Sequence, residues 1–269
     1  MSITLPNPNP SSQGTVVEQT RAAAEVAAAV GVARNYPRTP DIAVAAMREL
    51  CSRIAVAERA FYEVPNRGAG PSIHLARELA RIWGNLDYGV RELARNDTDG
   101  TSEMSVWAWD QETNVRSTRS FIQPHQRMKA GRRQDLTDLG DVYLNNQNTG
   151  ARAVRECIFT VLPGWFVAEA EAICKTTLRN GEGKPIGERR AAAIDKFATI
   201  NVTEVQLIDR VGKPIQKWDA GDLAALTRAY SSITIDGISA KEFFPEQAVT
   251  IAAIDPASPE YIDPELVQS

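Results

Sequence analysis

The chain has 269 residues and a mass of 29.4 kDa, enough for one large domain, or a domain with a small appendage, and for a core that needs no staple. Its 30 Lys and Arg against 34 Asp and Glu give a net charge of −4, which excludes a uniformly basic nucleic-acid coat; any polyanion site must rest on where the charges sit. Cys51, Cys157 and Cys174 form no CxxC pair and only His74 and His125 accompany them, so no zinc site is expected, and each cysteine reads as a small buried hydrophobe.

The Pro/Asn/Ser-rich residues 1–14 read as a disordered lead-in without the basic and apolar regions of a secretory signal. No run approaches 18 apolar residues, so no membrane partner and a cytoplasmic location are expected. An Ala-rich helix is predicted over Val16–Arg34, broken by YPRTP. A second is predicted over Asp41–Arg59, with Ile42, Ala46, Leu50 and Ile54 as its apolar stripe. After the glycines of NRGAGPS, Pro71 suits a first helical position. Ile73, Ala76, Leu79, Ala80 and Trp83 then mark an amphipathic helix that Gly84 stops.

A strand is expected over Asp87–Leu93, followed by the polar loop NDTDGTS. The segments EMSVWAWD and VRSTRSFI flank the turn QETN and predict a β-hairpin, with Met104, Val106 and Ala108 on one face and Ser105, Trp107 and Trp109 on the other. Helices are predicted over 137–147 and 149–160, and another from PGW to about Asn180. GEGKPIG (181–187) is the strongest domain boundary, ahead of helices over Glu188–Thr199, Thr203–Val211 with Thr203 as N-cap, and Ala220–Ser232. The expected layout is a core domain over 15–180, a helical module over 188–244 and an acidic, weakly ordered tail over 245–269, which has no basic residue.

Charge segregation carries the functional information. From Val115 to Gln134 there are six basic residues (Arg116, Arg119, Arg127, Lys129, Arg132 and Arg133) and no acidic one. A second acid-free stretch, Val142–Arg155, adds Arg152 and Arg155 one helical turn apart. Such a strip suits phosphate contacts with counterion release, or equally the acidic face of a neighbouring subunit. Trp107 and Trp109 share a strand face just before it and would stack unpaired bases if exposed, or join the core if not. Trp83, Trp165 and Trp218 have apolar surroundings and read as structural. His125 sits in the basic strip and reads as a further polyanion contact.

Other chemistry is thinly represented. Arg67–Ser72 leads into a helix N-terminus that suits a phosphate, or is a plain Gly-rich turn; no GK[ST] follows, so ATP hydrolysis gains no support. No GxSxG or HExxH occurs, and no catalytic residue, metal ligand or cofactor is expected. Asp110 and Glu112 beside the hairpin turn leave a metal-dependent nuclease as a minor alternative, with Asn114 where a lysine would help.

The strings GPSIHLARELARIWGNLDYGVREL, WAWDQETN, SFIQPHQR and NTGARAVRECIFTVLPGW together resemble phage single-strand annealing proteins of the RecT/Redβ type, from about Asn35 to Phe244. That resemblance implies a helix-rich α+β annealing core with a small β-sheet, and ATP-independent binding and annealing of single-stranded DNA in phage recombination. It also implies assembly into rings or filaments in the host cytoplasm. A basic groove of hairpin and helices would hold DNA on Arg116, Arg119, Lys129, Arg132, Arg133, Arg152 and Arg155. The expected partners are single strands, the annealed duplex, further copies of the chain, and a phage exonuclease or host single-strand-binding protein. A structural oligomer with no nucleic-acid role is the rival expectation.

Overall fold

The computed structural model describes residues 13–129 and 132–245, an α+β chain in which helices outweigh three small antiparallel sheets. It divides into two compact units, one of residues 13–62 and 69–184, the other of residues 63–68 and 185–245. The division falls between Lys184 and Pro185, inside the segment GEGKPIG.

In the first unit, α1 (Gln13–Asn35) leads into α2 (Pro40–Cys51) and the single turn α3 (Ile54–Ala57). Pro40 opens α2, where its missing N–H costs nothing. The buried face of α2 is Ala43, Met47 and Cys51, and Ile42 is exposed. This corrects the expected Ile42–Ala46–Leu50–Ile54 stripe. Both sets repeat every four residues, and side-chain size picked the wrong one. The helix also ends early: Ser52 keeps helical angles, and the chain turns away at Arg53, which is extended at φ −83° and ψ 126°.

The short strands β1 (Phe61–Val64) and β2 (Gly68–Pro71) pair, so Pro71 closes a strand rather than opening a helix. Ser72 is the N-cap of α4 (Ile73–Trp83), accepting from the Leu75 N–H at 3.2 Å; Gly84, at φ 75°, ends the helix. Leu75, Ala76, Leu79, Ala80 and Trp83 form its buried face.

The main sheet orders β3 (Leu86–Asn96), β4 (Thr101–Asp110) and β5 (Val115–Pro124), all antiparallel. Met104, Val106 and Ala108 are fully buried on its inner face, under the long helix α5 (Leu139–Val161), which packs on all three strands and on α4. That helix is continuous across the break expected near Asn148. Gly150 does not end it, but lets it approach the sheet: a Cβ there would lie 2.7 Å from Val90 Cγ1. After β5 come the small hairpin β6 (Gln126–Lys129) and β7 (Arg132–Asp135).

Helix α6 (Gly164–Asn180) packs on α2 and α3 and ends on Gly181 in the left-handed conformation. The three cysteines are buried, as expected, and free, and the Cys51 and Cys174 thiols share a hydrogen bond between α2 and α6.

The second unit is helical: α7 (Ile186–Ala198), α8 (Glu204–Val211), α9 (Ala220–Thr234) and the turn α10 (Ala240–Phe243). Phe197, Leu207, Trp218, Leu223, Leu226 and Phe243 anchor its core. Capping boxes at Thr203/Gln206 and Asp219/Asp222 start α8 and α9. Trp218 is structural as read, its indole N–H donating to the Lys213 carbonyl at 2.8 Å. Glu63 of β1, which belongs to this unit, pairs with Arg210 at 2.6 Å.

The Pro/Asn/Ser-rich lead-in up to residue 12 and the acidic tail from residue 246 lie outside the described residues. Among the described residues no single helix is long and apolar enough to cross a membrane.

Candidate nucleic-acid interface

Strand alternation sorts the candidate residues. On β4, Ser105, Trp107 and Trp109 point away from α5, as the hairpin pattern implied. Register places Asp87, Gly89 and Arg91 of β3, and Arg116, Thr118, Ser120 and Ile122 of β5, on that same outer face. None of these residues is buried. The sheet therefore presents a broad face with two half-buried indoles at its centre.

Each indole is held in place. The Trp107 ring lies across Gly89, where a Cβ would come within 2.6 Å of it, and its N–H donates to Asp87 Oδ2 at 2.7 Å. The Arg91 guanidinium sits 5.3 Å from the Trp107 ring centre. Trp109 donates to Asn114 Oδ1 at 3.0 Å, and Arg116 is its cross-strand neighbour. Asn114 takes a positive φ of 59° in the turn, which an Asn tolerates. Arg91 and Gly89 escaped the sequence reading, although a glycine within a strand marks close approach of another group, here an aromatic ring.

The basic strip does not stay together. Arg116 is on the outer face, but Arg119, three residues on, pairs with Val106 and belongs to the inner side, where it is exposed at the sheet edge. Arg127, Lys129, Arg132 and Arg133 lie on the β6–β7 hairpin, with Lys129 opposite Arg132 in the register. Arg127, Arg132 and Arg133 are exposed, as is Met128 between them, and Arg127 reaches Asp141 at 3.6 Å.

On α5, Arg152 is exposed, but Arg155 is engaged within its unit, 4.4 Å above the Tyr62 ring and 2.8 Å from Glu156. The candidates thus occupy four places: an aromatic sheet face, the inner edge of β5 with Arg119, a basic hairpin and the outer side of α5.

Three expectations need correction. His125 is buried, its Nε2 2.8 Å from Ser102 Oγ, in a network where Asn146 donates to Ser102 at 3.0 Å and Glu92 Oε1 lies 3.1 Å from it. It braces the sheet start against α5 and cannot meet a polyanion. Asp97 stands 4.0 Å from His125 Nδ1, which completes a Ser–His–Asp sequence, but Ser102 is wholly buried and out of a substrate's reach. Trp165 is exposed, not enclosed, and meets Trp83 edge to face at 6.1 Å. The third concerns the glycine-rich entry to α4, read as a phosphate site or a plain turn: it is a strand followed by a buried serine cap that already takes the Leu75 N–H.

Asp110 and Glu112 face a cation of the chain itself. Arg38 forks onto Asp110 through both terminal nitrogens, bonds Glu112 through Nε at 3.0 Å, and stacks 5.0 Å over Trp83. Burial alone would push the Asp110 carboxyl up, but hydrogen bonds from Arg38 and Thr113, with the Arg38 charge, hold it below the usual range. The Arg38 backbone N–H is the first cause of the lowered Glu112 value. A catalytic metal would have to displace Arg38 from both carboxylates. Among the described residues no three His, Cys, Asp or Glu side chains gather into a metal-binding group.

No protein-family model, curated protein or solved structure matches the chain.

Proposed function

We propose that this chain binds single-stranded DNA and helps complementary strands to anneal without ATP or metal, working as an oligomer built on a core of the RecT/Redβ type. The observation that carries this reading is the outer sheet face, where Trp107 and Trp109 lie on an open surface flanked by Arg91 and Arg116. A base has a flat face and an anionic backbone. Indole faces answer the first through sequence-tolerant stacking, and guanidinium groups answer the second.

The hairpin carrying Arg127, Arg132 and Arg133 supplies further charge for the backbone. Annealing follows if the bases are held apart from one another while the phosphates are neutralised, since a second strand then meets less repulsion. Oligomerisation multiplies such contacts along the strand.

Titration with a single-stranded oligonucleotide, followed by intrinsic tryptophan fluorescence, tests the reading. Quenching that is lost in Trp107→Ala/Trp109→Ala is expected, with weaker binding to duplex of the same length. Unchanged fluorescence and affinity in that variant would remove the stacking role. The residues after Lys241 are proposed to dock an exonuclease or single-strand-binding partner through their acidity. A chain ending at Pro245, which keeps the buried Phe243 and Phe244, should keep its DNA affinity and lose partner binding; retained partner binding contradicts the tail's role.

A further inference from the structure

Two thiols meet between α2 and α6, and nothing in strand annealing uses them. The buried row of α2 is Ala43, Met47 and Cys51, and that of α6 includes Phe166, Ala170, Cys174 and Leu178. Both rows advance by four residues and the two helices pack on each other. Cys51, the last residue of α2, thereby meets Cys174 in the middle of α6, and the two share a hydrogen bond.

Bonds on either side fix that meeting. One turn before Cys51, Arg48 Nε donates to Glu169 Oε1 at 2.5 Å. One turn after Cys174, Thr177 Oγ1 donates to the Cys51 carbonyl at 2.9 Å. The thiols are held together by groups other than themselves.

Both thiols are wholly buried, and buried thiols are ordinarily inert. Two features change that here. The hydrogen bond from Cys174 holds the Cys51 thiol below its ordinary value, against burial. The same bond, burial and the Cys51 and Glu171 charges push Cys174 up. Cys51 is thus the better nucleophile, and Cys174 keeps its proton. The second feature is access. Ser52, directly after Cys51, is exposed and lines an open hollow whose other wall includes Ile173, Thr176 and Thr177, on both sides of Cys174.

We propose that Cys51 and Cys174 are a peroxide-responsive pair that closes into a disulfide between α2 and α6. Helix ends fray, so hydrogen peroxide reaches Cys51 from the hollow when the last turn of α2 opens. The Cys51 sulfur attacks one peroxide oxygen, the O–O bond breaks, and a sulfenic acid forms as one water leaves. The Cys174 sulfur then attacks the Cys51 sulfur. The hydroxyl departs with the Cys174 proton as a second water. Two thiols are oxidised, and one peroxide is reduced to two waters. The bond joins residues far apart in the chain, so it confines the unfolded state strongly and stabilises the unit.

The test exposes the full folded chain, without nucleic acid, to millimolar hydrogen peroxide. Remaining thiols are then alkylated under denaturing conditions, and peptides are mapped by mass spectrometry. The expected result is a single alkylated thiol per chain, Cys157 of α5, with Cys51 and Cys174 in one cross-linked peptide that dithiothreitol releases. On a non-reducing gel the cross-linked chain runs as one chain, and it should melt roughly 5 °C or more above the reduced chain. In Cys174→Ser, Cys51 should stop at the sulfenic acid, which dimedone traps. Three alkylated thiols, a disulfide that includes Cys157, or Cys51 oxidised further without a cross-link overturns the proposal. So does a cross-linked chain that melts no higher. These readings come from the wild type, so they decide the matter even if Cys174→Ser misfolds.

Discussion

Trp107 and Trp109 differ from the other three tryptophans in what fixes them. Trp83 and Trp218 are buried and Trp165 rests on aromatic neighbours, whereas the sheet pair is held by Asp87 and Asn114 on an open face. Replacing either by alanine should cost about 1–3 kcal/mol of single-strand affinity per stacked base while leaving thermal unfolding nearly unchanged. Isothermal titration beside a thermal melt separates the two effects; a large loss of stability would show that the indoles serve the fold.

Arg38 predicts the reverse pattern. Its side chain and that of Asp110 are 7% and 4% exposed, so Arg38→Ala strands a buried carboxylate and should destabilise the chain by about 3–5 kcal/mol. Both carboxyl partners are held below their ordinary values of 3.8 and 4.5. The stability they contribute is therefore complete above those values, and is lost as pH falls through the lowered ones. Denaturant melts across an acid series should show wild type losing stability more steeply than Arg38→Ala. Parallel curves would detach the clamp from the acid response.

Among the elements, those with a clean period were legible. The two faces of β4, the apolar face of α4 and the Thr203 cap of α8 follow from spacing alone. The failures have local causes. The α2 stripe was misplaced because Ala43, Met47 and Cys51 repeat at the same interval as the larger residues. The long helix α5 was expected as two pieces parting at Asn148, yet it runs unbroken from Leu139 to Val161, with Gly150 letting it approach Val90 of β3. The basic strip was read as one surface, although three residues of separation along a strand put Arg116 and Arg119 on opposite sides.

Gly150→Ala tests the α5 contact. Alanine is the better helix former, yet the substitution should destabilise by about 1–3 kcal/mol through overpacking against a stiff valine. Adding Val90→Ala should return part of the loss in a urea melt, and additive losses would place the strain elsewhere. At the β6–β7 hairpin, Arg132→Glu/Arg133→Glu should flatten the salt dependence of binding, since each lost phosphate contact removes about 0.7 from the logarithmic slope for single strands. An unchanged slope would exclude these residues from the interface.

At the scale of the whole molecule, net charge argued against a polyanion partner, and distribution argues for one. Six acidic residues and no basic one follow Lys241, while exposed arginines cluster on the hairpin and beside the tryptophans. The Gly181–Gly187 segment contains the point where the two units part, yet residues 63–68 belong to the second unit, a membership that linear order cannot reveal.

One experiment reaches annealing directly. A labelled single strand is titrated with protein across a salt series without ATP or divalent metal, and its complement is then added in the same cuvette. Anisotropy should rise at low salt and fall as salt increases, followed by duplex formation faster than in buffer. Both effects should weaken in Trp107→Ala/Trp109→Ala and in Arg132→Glu/Arg133→Glu. No binding at low salt, together with annealing no faster than the protein-free reaction, would contradict the annealing role.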